Sequence, residues 1–353
     1  MGAPHVALLA LAGLIGCHAE PRRITMAIPP SHLHPDPEAV ALLRRDVKAY
    51  NLGRVDNPGY LNLVNSDLRR LSLQRARLQG ADLRGANLGG ADLSNAWLSG
   101  AKLDGAVLRG ALLRRAQVMN TQLDRPVFEE VDFRGADLRF SRWPGARFVR
   151  CDLREVDLAE SELGDLVLEE CQLDGLSATR AKLAGARLIK GRMAAGGISR
   201  SDLRGASFQL TSPYRINLCD DDLRGATFAP NEWSGPLFLS SDLSGARFES
   251  AKIDRGDFAK ARLEGTRLVG ARIRDSSFDR VVAPGVDFTG ASLTDVDFRG
   301  ADLRNARFDG AIFKGEIRFQ EANLEGATFR GANRREARLE LAGTVYAVGG
   351  LPQ

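Results

Sequence analysis

The sequence predicts an all-β fold, a solenoid in which short parallel strands wind into a four-sided coil. Three observations predict it: a large apolar residue at every fifth position, a small residue two places before each of these, and Gly or short polar residues between them. From Leu63 the fifth positions read Leu68, Leu73, Leu78, Leu83 and onward to Phe313, 51 positions with no residue inserted or lost. Only Ala178, Pro213 and Ala283 among them are not large and apolar. The preceding small positions include Ala81, Ala86, Ala91, Ala96, Ala101 and Ala106.

A period of five belongs to neither a helix, which repeats at 3.6, nor a plain strand, which alternates at two. Within each five, the small and large apolar residues are two apart, which is strand-like. The remaining step of three needs a turn, and Gly, Asn and Ser there suit turn conformations. Four such pieces close a square coil of 20 residues. Successive coils pair through parallel backbone hydrogen bonds about 4.8 Å apart, so about 13 coils make a rod of about 60 Å. The expected core is one continuous stack of the fifth-position side chains, with Phe238, Phe258, Phe278 and Phe298 in one column and Phe208, Phe228 and Phe248 in another.

The stretches "ADLRG" at 81–85, "ANLGG" at 86–90 and "ADLSN" at 91–95 resemble the A-(D/N)-L-x-x motif of the pentapeptide-repeat family. The resemblance covers roughly residues 61–340 and implies a right-handed quadrilateral β-helix. Some members of that family protect DNA gyrase and topoisomerase IV, acting as acidic rods that imitate duplex DNA. That mechanism needs a line of negative charge, because DNA carries one charge per ~1.7 Å. The outward positions of this chain carry Asp, Arg and Lys in near balance on all four sides, and the net charge is +4. Nucleic-acid mimicry and nucleic-acid binding are therefore not the expected function.

The segments outside the array have their own readings. Residues 36–53 read as one helix that caps the first coil: Asp36 as N-cap, Pro37 at the first turn, a stripe of Val40, Leu43, Val47 and Tyr50, and Gly53 as stop. With the turn that follows, this cap extends over residues 36–60. An open β-helix end exposes core and unpaired strand edges, so a cap is physically required. After Phe313 the phase slips by one, to Phe319, Leu324 and Phe329, and Arg334 breaks it. Residues 341–353 hold no charged side chain, which fits either a cap on the final coil or self-association through it. Between 190 and 240 the pattern weakens, with Pro213 at a centre and Asp221 and Asn231 at small inward positions. Distorted corners are expected there, with the phase kept.

Residues 1–17 contain an apolar run from Val6 to Gly16, of signal-peptide length and too short to cross a membrane. Leu14-Ile15-Gly16-Cys17 resembles a bacterial lipobox, which implies lipidation of Cys17, a membrane anchor and a place in the cell envelope. Residues 18–35 read as a Pro-rich linker. The alternatives are simple secretion with cleavage near Ala19, or a cytoplasmic location with the chain starting upstream of its true beginning.

No chemistry is expected. All four His, at 5, 18, 32 and 34, precede the array, which removes the usual general base and most zinc ligands. No phosphate-binding Gly-rich loop occurs, and no cofactor or metal is anticipated. The chain reads as a non-enzymatic scaffold that binds a protein or glycan through its rod surface. Outward Trp97, Phe140, Leu237 and Leu239 are the candidate contact residues. The alternative is a cytosolic topoisomerase-protection protein.

Overall fold

The computed structural model describes residues 34–56 and 61–345. Residues 61–345 form a right-handed parallel β-solenoid with four sides, preceded by two short helices. The 20-residue coil is direct in the pairing: Asn62 pairs with Asp82, Asp82 with Lys102, Asp67 with Asn87 and Ser72 with Asp92, all parallel. The sides are numbered here by their centres: first (Leu63), second (Leu68), third (Leu73) and fourth (Leu78). The coils number roughly 11, fewer than the 13 expected.

Each pentapeptide makes one side and one corner. The fifth-position residue and the small residue before it point inward and are buried, as in Leu83 and Ala81. The residue between them points outward and pairs backward, so that Asp82 N–H donates to Leu61 C=O (2.8 Å) and Leu63 N–H donates to Asp82 C=O (2.8 Å). Two residues after each centre the chain turns through a left-handed conformation, as at Gly90 (φ 65°) and Asn95 (φ 58°). A side chain with a Cβ is strained there, which accounts for the Gly and Asn in phase with the repeat.

The core stacks in columns. On the fourth side Phe238–Phe258 and Phe258–Phe278 stack at 4.8 and 4.5 Å between ring centroids, and Phe298 and Phe319 continue the column at 5.2 and 5.1 Å. On the second side Phe208–Phe228–Phe248 stack at 4.9 and 4.1 Å. The two columns meet edge to face, as at Phe238–Phe248 (5.7 Å, 89°), an arrangement favoured by the ring quadrupole. Cys151 and Cys171 lie on adjacent rungs of one inward column, both buried with free thiols.

The N-terminal segment forms two helices rather than the single one expected: α1 (Pro37–Arg45) and α2 (Val47–Asp56). Asp36 caps α1, its Oδ1 accepting from the N–H groups of Glu38 and Ala39. Asp46 breaks the helix and caps α2, accepting from Lys48 and Ala49. Gly53 does not end α2, which runs on to Asp56. Leu43 and Tyr50 are buried against the first coils, as the stripe requires. Polar groups of the helices also satisfy the open rung. Asn51 Nδ2 donates to Arg75 C=O (2.8 Å), and its Oδ1 accepts from Arg77 N–H (2.8 Å). Tyr50 OH donates to Arg77 C=O, and Arg44 donates to Asp67 C=O. No described helix is long and apolar enough to cross a membrane.

At the far end, the strands Ser292–Asp297, Ile312–Arg318 and Asn333–Glu340 run on from the third side around the corner. The phase slip lies in Ile312–Arg318, where the pairing shifts between Thr294 and Val296 and the offset becomes 21 residues, as in Val296↔Ile317. A second shift follows Ile312↔Asn333, after which Lys314 pairs with Glu336.

Candidate functional site

Most of the rod surface is neutralised locally. In each Asp-Leu-Arg or Asp-Phe-Arg triplet the outward Asp accepts from the Arg two residues on, as in Asp132–Arg134 (2.8 Å), Asp152–Arg154 (2.6 Å), Asp202–Arg204 (2.6 Å) and Asp222–Arg224 (2.6 Å). The same Asp Oδ1 accepts the Arg backbone N–H, 3.1 Å at Arg134, which clamps the corner. Neighbouring rungs link into ladders: Arg114 to Asp132 (2.6 Å), Arg134 to Asp152 (3.4 Å). Burial works to raise the pKa of Asp132, but Arg134 and Arg114 outweigh it and hold the group at about 2. Such pairs fix side chains while adding little stability each, and they leave no acidic stripe.

One corner breaks the rule. In a regular side the small inward residue is followed by one outward residue and then the centre. Between Phe208 and Pro213 the order is changed: Leu210 is buried, Thr211 and Ser212 are exposed, and Pro213 is buried. Thr211 N–H donates to Gly191 C=O (2.9 Å), the role that Arg192 N–H plays toward Cys171 C=O one rung earlier. At this reversed corner the chain has thus lost one residue, and the next side has gained one. The loss and the gain cancel at Pro213, so the phase persists. On the following rung Pro230 has no N–H to pair with Glu249, and the side-chain amide of Asn231 donates to Leu210 C=O instead.

The interrupted ridge leaves a cleft of about 750 Å³ lined by Lys190, Ser207, Gln209, Thr211, Thr227 and Arg247, among others. Its lining mixes hydroxyl, amide and cationic side chains with apolar surface from Leu210, Phe228, Ala229 and Pro230. Arg247 is held by Glu249 (3.1 Å), and Lys190 lies 3.7 Å from Glu170. The backbone N–H of Leu210, which would pair with residue 229 at a regular corner, has no such bond. The same coil carries a buried acid. Asp221 Oδ1 accepts from Ser201 N–H (2.7 Å) and Asp221 N–H donates to Ser241 Oγ (3.1 Å), while Oδ2 has no partner. Burial pushes this carboxyl up to about 8, so it is neutral at neutral pH. Among the described residues no three His, Cys, Asp or Glu side chains converge as metal ligands.

The anticipated contact residues are exposed, and all four lie along the fourth side: Trp97, Phe140, Leu237 and Leu239. The structure does not gather them into one patch. Trp97 and Leu237 are seven rungs apart, about 34 Å at the strand spacing. Arg77 lies over the Trp97 ring at 5.1 Å. Phe140 sits at a left-handed corner (φ 60°). Leu237 and Leu239 share one rung. Cys17 lies outside the described residues. The cleft was foreshadowed in the sequence only by Pro213, Asn231 and the poor repeats around them.

A profile of pentapeptide repeat regions matches residues 251–329, and one of pentapeptide repeats in eight copies matches 62–100, 91–125, 132–165 and 317–342. The long unmatched stretch inside the array, 166–250, contains the reversed corner. No curated protein matches the sequence. Among solved structures, HetL of Nostoc sp. strain PCC 7120, a pentapeptide repeat protein involved in heterocyst differentiation regulation, is 22% identical over 68% of this chain and 94% of its own, with a TM-score of 0.33. Full-length QnrB1, a plasmid-mediated fluoroquinolone resistance protein, is 16% identical over 66% of this chain and 91% of its own (TM-score 0.18). Rfr23 of Cyanothece 51142 is 16% identical over 52% and 90% (TM-score 0.12). The matched segments together span more than half of the sequence, and on that ground the chain belongs to the pentapeptide-repeat family.

Proposed function

We propose that the protein is a non-enzymatic binding scaffold, exported and anchored to the cell envelope through lipidated Cys17, that engages a protein or glycan partner at the cleft of the reversed corner. The observation that carries this reading is the cleft itself. It is the place where the repeat gives up a regular corner, and it opens a concave site where hydroxyl, amide and ion-paired cationic groups stand beside apolar surface. Donors around a concave site suit a partner rich in oxygen acceptors. The Asp–Arg ladders weigh against a DNA-like charge line on the rod.

Two measurements test the reading. A photo-crosslinking residue at Thr227 in the cleft should give a discrete adduct in cells, and one at Gln117 on another side should not; equal labelling at both sites would discard the cleft. Fractionation with mass spectrometry of the N-terminus should find the protein in the membrane fraction beginning at a lipidated Cys17. A cytosolic protein that retains Met1 would overturn the envelope assignment. A gyrase supercoiling assay would then test the protective role instead.

A further inference from the structure

The positive charge of the chain is not spread evenly. Residues 36–125 hold 14 Lys and Arg against 9 Asp and Glu, whereas residues 126–353 hold 33 against 35. Such asymmetry favours an anionic partner at the basic part. Within that part the second side is notched. Arg69–Arg70, Gly89–Gly90 and Arg109–Gly110 occupy the same corner on three successive rungs: Arg70 N–H donates to Gly89 C=O and Gly90 N–H to Arg109 C=O, both at 3.0 Å. The middle rung therefore has no side chain where its neighbours carry arginines. The gap is a cleft of about 690 Å³, which Arg44 of α1 also lines. Gly90 has the left-handed φ of the corner (65°), but nothing requires glycine at 89. An added Cβ there would come no closer than 3.2 Å, to the side-chain Oδ1 of Asn87. The same position holds Arg69, Arg109, Val149 and Val269 in other coils.

We propose that this notch binds a phosphomonoester group. The cations around it are incompletely neutralised. Arg69 forks onto Asp67, Nε to Oδ1 and Nη2 to Oδ2, both at 2.8 Å. Arg109 only approaches Glu129 (3.6 Å) and Glu130 (3.5 Å), and Glu130 is shared with Arg150 (3.0 Å). Among the described residues neither Arg44 nor Arg70 forms an ion pair with a carboxylate, and Arg44 donates instead to Asp67 C=O (2.7 Å). The number of acceptor oxygens selects the ligand. A carboxylate has two, and one arginine fork satisfies both, as Asp67 shows. A phosphomonoester has three and takes forks from several directions at once, which arginine supplies with the matching planar geometry. A cleft lined by one sign of charge also concentrates its field on an entering anion. The notch lies six rungs from the cleft of the reversed corner and shares no residue with it, so it stands or falls independently of that cleft.

The test uses the full-length chain carrying Cys17→Ser, so that no acyl chain contributes to binding. It is titrated calorimetrically with glycerol 3-phosphate, and it is sedimented with phosphatidylcholine vesicles that contain or lack phosphatidic acid. Both probes present a phosphomonoester. Binding of glycerol 3-phosphate assigns a soluble ester as the source, and binding that needs phosphatidic acid vesicles assigns a lipid headgroup; either outcome supports the site. Gly89→Val fills the notch without changing charge, and Arg44→Ala with Arg70→Ala removes the two unpaired cations. Each should weaken binding about tenfold or more. Arg187→Ala with Arg272→Ala removes two cations elsewhere on the rod and should leave binding nearly unchanged. Identical far-ultraviolet circular dichroism and thermal midpoints among the proteins separate binding from folding. Failure of both probes to bind overturns the proposal, as does a Gly89→Val protein that binds like its parent. An equal loss in the Arg187 and Arg272 control overturns it too, because diffuse charge would then be the cause.

Discussion

Leu210 fills the inward slot beside Gly191: its Cδ2 lies 3.6 Å from where a Cβ on Gly191 would stand. The same point is 3.1 Å from Cys171 C=O and 3.3 Å from Leu173 Cδ1. The missing side chain on one rung is therefore the room into which the next rung inserts its leucine. Leu210→Ala should cost about 2–5 kcal/mol, as core truncations do, and Gly191→Ala about 1–3 kcal/mol by overpacking. Denaturant midpoints check both. An unchanged midpoint for Leu210→Ala would mean that its side chain lies outside the core.

Asp221 makes stability depend on pH in an unusual direction. Its folded pKa is raised by burial to about 8, above the ordinary value near ~4 for an unfolded Asp. The native state therefore holds a proton that the unfolded state releases, so the group's contribution is full below pH ~4, falls as pH rises, and is lost once pH passes about 8. Asp221→Ser, which matches Ser201 and Ser241 on the neighbouring rungs, should leave stability at pH 5 nearly unchanged and raise it at pH 8 by about 1–3 kcal/mol. Urea midpoints at the two pH values provide the measurement. Parallel pH profiles for mutant and wild type would show that Asp221 is ionised and solvated.

Asn51 stands in for a missing strand. Its amide accepts from Arg77 N–H and donates to Arg75 C=O, both at 2.8 Å. Asn51→Ala should cost about 1 kcal/mol and should act locally, because a solenoid coil contacts only its neighbours. Hydrogen exchange at the Arg77 amide should accelerate, while amides near Phe258 stay protected. Unchanged exchange at Arg77 would remove Asn51 from the cap.

The adjacent thiols give a fourth expectation. Cys151 and Cys171 are buried and free, and Cys219 is half-buried, with burial raising its pKa. In the folded protein Cys151 and Cys171 should not react with a thiolate-specific reagent at pH 8, and Cys219 should react slowly. In denaturant all three should react without reductant. Two thiols that appear only after reduction would reveal a Cys151–Cys171 disulfide.

Much of this molecule is legible because its coil is built from one short instruction. The step of five places Phe238 over Phe258 without knowledge of any other residue, and the stacking at 4.8 Å follows. The helix stripe of Leu43 and Tyr50 was legible for the same reason, since periodicity reports which face is buried. The break at Asp46 was not, because an Asp inside an apolar stripe reads equally as a solvated helical residue until its Oδ1 is seen to accept from Lys48 and Ala49. The reversed corner was hidden more deeply. Pro213 stays in phase, and only the burial of Leu210 shows that a lost residue and a gained residue have cancelled. Nor did the Asp-Leu-Arg triplets declare themselves as clamps. Balanced charge is visible in composition, but its pairing two residues apart depends on the corner geometry.

The two pairing shifts at the C-terminal end differ from the reversed corner in one respect: nothing downstream cancels them. Pairs are 20 residues apart through Thr294↔Lys314, 21 apart at Val296↔Ile317 and 22 apart where Asn323 meets Val345. Up to Phe313, outside the reversed corner at 208–213, the gene could gain or lose any block of 20 codons, and the inward residues would still point inward. The rod would simply change length by about 4.8 Å per block. A block copied across Gly315 would carry the added residue with it and turn the downstream apolar residues toward water. Length is thus a dimension that duplication can adjust freely in one part of the molecule, and the last coils are the punctuation that ends it.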